Sequence, residues 1–311
     1  MDLLTLILLS ASAAVVAAAL WLWTPDKRRA VLERDYLRSP ADKLEVGGVL
    51  LHVRDEGPPA APPVILLHGF GASLHSWEPW VRALSRDHRV ISLDLPGSGL
   101  SPPDPEGDYS DARVVRLLLA LLEQKGIARA SVIGHSIGGR IAWRLAAQHP
   151  ERVEKLVLIA PDGFASPGFD YGVAPKVPAM MSLMRHILPK PLLRANLVQS
   201  YGDPAALTRA NLDRYHDLML APGNRRALLD RMAQTVLTDP QPALERITAP
   251  VLLLWGEKDA LIPFDNAQDY LRHLPEARLV SFPELGHVPQ EEAPEKTLPP
   301  VAAFLSTPVP K

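Results

Sequence analysis

Ser136, Asp259 and His287 have the types that together make a nucleophile. A serine hydroxyl is weak on its own. It becomes reactive when an imidazole takes its proton and a carboxylate holds that imidazole in the right tautomer. Ser136 stands in Gly134-His135-Ser136-Ile137-Gly138, after a short apolar run and before an amphipathic segment. The spacing Gly-x-Ser-x-Gly suits a sharp strand-to-helix turn, where residues two before and two after the serine must lack bulk. Such a turn lifts the hydroxyl above the sheet and aims the helix N-terminus at the same space, where negative charge is favoured. Asp259 follows the apolar run ending at Gly256. His287 follows the run ending at Phe282, directly behind Gly286. Catalytic groups in open parallel sheets gather at such strand ends.

Other residues compete for these roles. Asp162 also follows a strand and could replace Asp259 as the orienting carboxylate. His68, His75, His135 and His149 lie near motifs, but only His287 sits on a loop after a late strand. Ser98, between Gly97 and Gly99, has no helix behind it and reads as a turn residue. Attack on a carbonyl creates an oxyanion that needs N–H donors about 3 Å away. The amide of Ile137, directly after the serine, is one candidate. The amide of Phe70, in His68-Gly69-Phe70-Gly71, is the other. This chemistry needs neither a metal nor an organic cofactor.

These side chains need a parallel sheet to hold them, and the pattern supplies one. Lys43–Val46 and Leu50–Asp55 flank Gly47-Gly48 as a β-hairpin. Apolar strands are expected at Val64–His68, Arg89–Asp94, Ala130–Gly134, Val153–Ile159, Val251–Gly256 and Arg278–Phe282. Helical periods fall between them at Trp77–Ser85, Asp111–Gln124, Gly139–His149 and Asp265–Leu274, with a last helix over Thr297–Leu305. Strands alternating with helices predict an α/β fold, a mostly parallel sheet with helices on both faces. The alternation stops at Asp162. From Gly163 to about Pro240 only helix-like and proline-rich pieces occur, including Met180–Met184, read as core more than as ligand wall. This is a helical insertion.

The 311 residues carry a net charge of −2, so no basic field points to nucleic acid. No cysteine is present, which excludes disulfides and thiol chemistry. Residues 3–23 contain no charge and are just long enough to span a bilayer core. Trp21 and Trp23 stand where an interfacial aromatic belt would be. Basic residues follow this run instead of preceding it, which favours a retained anchor over a cleaved signal. The expectation is therefore a membrane partner through residues 3–23 and localisation at a bacterial inner membrane; secretion or a periplasmic location after cleavage is the alternative. The expected division is anchor 1–24, a charged helical connector 25–42, a core of 43–162 with 241–311, and the insertion 163–240.

Four motifs carry a resemblance to the α/β-hydrolase superfamily: Val-Ile-Leu-Leu-His-Gly-Phe-Gly (64–71), Leu-Asp-Leu-Pro-Gly-Ser-Gly-Leu-Ser (93–101), Gly-His-Ser-Ile-Gly-Gly (134–139), and Gly-Glu-Lys-Asp (256–259) with Gly-His (286–287). The chain resembles bacterial lipases and esterases with Gly-His-Ser-Met-Gly-Gly, departing from them at Ile137. It also resembles carbon–carbon hydrolases of ring-fission products, which usually have Asn where His135 stands. The resemblance implies that 163–240 is a lid-like cap. It implies hydrolysis of a small-molecule ester or lipid through an acyl-enzyme. A carbon–carbon or perhydrolase-like activity, or a non-catalytic binding role, stays open.

Overall fold

The computed structural model describes residues 2, 5, 7, 9, 10, 12, 22–165 and 170–308. Its centre is an eight-stranded sheet: β1 (Lys43–Val46), β2 (Val49–Glu56), β3 (Pro63–Leu67), β4 (Arg89–Leu93), β5 (Ala130–His135), β6 (Val153–Ile159), β7 (Val251–Gly256) and β8 (Arg278–Phe282). The spatial order is β1-β2-β4-β3-β5-β6-β7-β8. β1 pairs antiparallel with β2, and β2 with β4. The pairs from β4 through β8 are parallel. β5 and β7 are buried along their whole length, as a strand covered on both faces must be.

Helices cover both faces. Asp111–Gln124 and Ile137–Gln148 pack on one face with Leu117, Leu118, Ile141 and Trp143 against Ile65, Val132 and Leu253. Glu78–Leu84 and Pro294–Ser306 cover the other with Trp80, Val81, Val301 and Phe304 against Leu66, Ile133 and Leu254. The period-2 and period-3.6 patterns placed these elements to within a few residues. The segment between β6 and β7 contains helices at Lys190–Leu197, Arg209–Met219, Asn224–Gln234 and Gln241–Leu244, and no strand among the described residues. Met180 lies on a 3₁₀ turn there with 78% exposure, so the methionine cluster is not simply core.

The membrane anchor expected over 3–23, and the inner-membrane localisation built on it, are corrected here. Among the described residues no helix is long and apolar enough to cross a membrane. Most of that stretch, including Trp21, lies outside the described residues. Trp23 is not an isolated belt residue. Its ring stacks on His186 at 5.0 Å, and its backbone bridges to Ile187. The chain beyond Trp23 also contacts the helical segment. Asp26 pairs with Arg225 and Lys27 with Asp217, both at 2.6 Å. Leu32, on the helix Arg29–Tyr36, is buried with Leu100, Leu218 and Ala221.

Packing is close where the helix after β5 meets the end of β3. A Cβ on Gly138 would sit 2.4 Å from the Leu67 carbonyl oxygen and 2.6 Å from that of His68. Backbone cannot yield as a side-chain tip can, so the helix would have to move off the sheet. Gly138→Ala is expected to destabilise the protein by about 2–4 kcal/mol, read as a lowered urea midpoint. An unchanged midpoint would mean the helix can shift freely.

Candidate active site

Ser136 joins β5 to the helix Ile137–Gln148 with φ 55° and ψ −121°. For a residue with a side chain this conformation costs on the order of 1–3 kcal/mol. Neighbours hold it in place. The Ser136 N–H donates to the Ile159 carbonyl at 3.0 Å, and its carbonyl accepts from the Arg140 and Asp162 amides at 3.1 Å each. Gly134 makes the turn possible, because a Cβ there would lie 2.3 Å from the Gly138 oxygen.

Asp259 and His287 are brought together. The His287 Nδ1 lies 2.7 Å from Asp259 Oδ2, with the carboxylate fully buried. Asp259 Oδ1 accepts the amides of Leu261 and Ile262 at 2.8 and 2.9 Å, which fixes its orientation. An imidazole bound through Nδ1 in this way presents Nε2 for proton transfer. Next to Ser136, His135 packs on the same ring, with centroids 4.7 Å apart, and its Nε2–H donates to the His287 carbonyl at 2.7 Å. The far side of His135 meets the loop His68–Gly71. A Cβ on Gly69 would lie 2.6 Å from His135 Nδ1 and 3.2 Å from Ser136 Cβ. The serine turn, the His287 loop and the loop carrying Phe70 thus converge. Ile137 is the first residue of its helix, where N–H groups lack intrahelical acceptors.

The competing residues are engaged elsewhere. Asp162 faces Arg140, which also binds Asp111. Burial alone would lower the Arg140 guanidinium, but those two carboxylates push it up. His68 Nε2 accepts the Leu95 amide at 3.0 Å, so Nδ1 carries the proton and donates to the Gly69 carbonyl. Burial pushes the His68 and His135 imidazoles down, and His287 beside it lowers His135 further, keeping both rings neutral at pH 7. Burial takes His75 down to about 4. Ser98 lies in a turn that donates to the Leu95 carbonyl.

Asp94 is a residue whose role the sequence reading missed. It ends the strand run 89–94, and its only signal was an acid at the end of an apolar strand. Its carboxylate is fully buried and accepts from the Leu74 and Leu100 amides and the His52 ring. It therefore ties the loop after β3 to the turn after β4. Burial pushes the Asp94 carboxyl up; the imidazoles of His52, His75 and His68 outweigh this and hold it well below the usual carboxylate range.

Residues 62–294 match the protein family described as alpha/beta hydrolase fold. Over 278 residues the chain is 34% identical to the dihydrolipoyllysine-residue acetyltransferase component of the acetoin cleaving system of Pseudomonas putida, covering 87% of this chain and 71% of that protein. It is 30% identical over 249 residues to the pimeloyl-[acyl-carrier protein] methyl ester esterase of Nitrosomonas europaea, covering 79% of this chain and 96% of the esterase. The crystal structure of a membrane phospholipase A superposes with a TM-score of 0.73 at 26% identity, covering 97% of each chain.

The depressed Asp94 carboxyl gives a pH-dependent prediction. A carboxyl lowered by folding stabilises the native state above its unfolded pKa, near 3.9, and that stability is lost as pH falls toward the lower native value. Asp94→Asn is expected to cost about 3 kcal/mol at pH 7, with the gap from wild type narrowing by about 1 kcal/mol between pH 5 and pH 3. Urea unfolding across that range measures it. A gap independent of pH would place the stabilisation elsewhere.

Proposed function

The chain belongs to the alpha/beta hydrolase family, and from that premise we propose that it is a serine hydrolase of carboxylic esters. Ser136 attacks the acyl carbon as His287 takes its proton. Asp259 holds the imidazole tautomer and stabilises the imidazolium. The amides of Phe70 and Ile137 receive the charge on the carbonyl oxygen. The alcohol leaves with the proton from His287, and water then releases the acid by the same steps. The observation that carries this reading is the buried 2.7 Å contact between His287 Nδ1 and Asp259 Oδ2, beside a serine held at φ 55°. The esterase and phospholipase relatives support ester bonds as the target.

Residues 163–240 act as a cap in this reading, and 43–162 with 241–311 as the core. Support comes from the packing of Tyr215, Leu218 and Leu228 around a small cavity whose other walls are Gly71–Ser73 and Gly97–Gly99. A cap seated on the loop after β3 would set which acyl and alcohol groups enter.

Hydrolysis of p-nitrophenyl esters of graded acyl length tests the proposal. Wild type is expected to turn them over. Ser136→Ala should lower kcat by about 10⁴-fold or more, and Asp259→Asn by about 10⁴-fold. A folded wild type inert toward every ester would overturn the reading.

A further inference from the structure

The loop bearing His287 is gripped by residues that the proposed reaction does not use. The short helix Pro289–Glu292 lies just after His287 and ends in two glutamates. Glu292 Oε2 accepts the N–H of Gly286, the residue before His287, at 2.8 Å, and the N–H of Gly202 at 3.0 Å. Its Oε1 accepts the N–H of Asp203 at 2.8 Å. On the other side of His287, the Val288 N–H donates to the Ser200 carbonyl at 3.2 Å. The two backbones meet without side chains: a Cβ on Gly286 would lie 2.5 Å from the Gly202 nitrogen. Glu291 extends the grip. It accepts from the Tyr201 hydroxyl at 2.5 Å, Arg214 Nη2 at 2.8 Å and the Tyr215 hydroxyl at 3.4 Å. Burial pushes both tyrosine hydroxyls up, and the Glu291 charge adds to it, so both stay protonated donors.

We propose that Glu292 is a positioning residue for His287: its carboxylate fastens the loop bearing the base to residues 200–203 of the helical segment, so that the alignment of His287 between Asp259 and Ser136 depends on that segment being docked. This rests on Ser136, Asp259 and His287 acting as proposed above. An ionised acid suits the position because the N–H groups of Gly286, Gly202 and Asp203 converge on its two oxygens. A neutral amide offers one oxygen and turns a donor toward one of those N–H groups. A base displaced by about 1 Å costs on the order of 100-fold in rate.

A fluorophosphonate probe tests this without a known substrate, since it modifies only an activated serine. Wild type is expected to be labelled at Ser136, and Ser136→Ala not at all. Glu292→Gln should be labelled 10- to 100-fold more slowly while keeping a cooperative melt and an unchanged KM for any ester turned over. Its downfield proton resonance from the His287–Asp259 hydrogen bond should broaden. If Glu292→Gln does not fold, Glu292→Asp, which keeps the charge but withdraws it by one methylene, takes its place with the same expectation. A folded Glu292 variant labelled at the wild-type rate with a sharp downfield proton overturns the proposal. A wild type that is not labelled overturns the underlying assignment of Ser136 instead.

Discussion

The helix Ile137–Gln148 approaches the ends of β3 and β5 more closely than side chains would permit, with Gly138 against the carbonyls of Leu67 and His68 and Gly134 against Gly138. This approach leaves Ser136 no ordinary backbone conformation, so the residue adopts φ 55°. The cost is offset by what the closeness allows. Ile141, Trp143 and Leu145 of the same helix are buried against the sheet, each contributing about 1.5–3 kcal/mol. The serine backbone is bonded to the Ile159, Arg140 and Asp162 backbones on either side. Local strain is thus held by contacts spread over three elements. Only an arrangement of that kind keeps a hydroxyl raised above the sheet and a helix N-terminus aimed beside it.

Loops at the same end of the sheet are held by carboxylates, two of them buried, rather than by further strand pairing. Asp94 takes the Leu74 and Leu100 amides. Asp259 takes those of Leu261 and Ile262, and Glu292 those of Gly286, Gly202 and Asp203. Loops leaving parallel strands carry unpaired N–H groups, and those buried away from water need acceptors. An ionised carboxylate supplies two oxygens at one point, with each charge-assisted bond worth about 1.5–3 kcal/mol. Asp259 and Asp94 each use a further lone pair on an imidazole, His287 and His52. A structural tie and a candidate catalytic orienter are therefore built from the same parts. What separates them is position, since only the Asp259 imidazole packs on His135 beside Ser136.

The parts of the fold legible in the sequence were those with a local cause. The apolar runs at Val153–Ile159 and Val251–Gly256 are strands with those bounds, because a strand buried on both faces has few polar choices. The glycine at 134 could be interpreted because the clash that demands it, with the Gly138 oxygen, lies within five residues. Long-range pairings were not legible. Nothing near Arg140 in the chain says that it binds Asp111 and Asp162, and nothing near Glu292 says that it meets residues 202 and 203. Their partners are set by how helices stack, which periodicity does not encode. The N-terminal reading erred for the same reason. Composition described residues 3–23 as an anchor, while the placement of Trp23 depends on a His186 far along the chain.

The segment from Trp23 to Tyr36 consequently belongs to the folded body. Its ion pairs, Asp26 with Arg225 and Lys27 with Asp217, each join a side chain open to solvent to one that is largely buried, and solvent on the open side keeps such pairs to about 1 kcal/mol. The larger contributions are the burial of Leu32 among Leu100, Leu218 and Ala221 and the backbone bonds from Thr24 to His186 and from Lys27 to Leu220. All of these partners except Leu100 lie in the helical segment between β6 and β7. That segment in turn meets the loop bearing His287 through Glu291 and Glu292. The helical segment between β6 and β7 therefore touches both the N-terminal arm and the loop bearing His287.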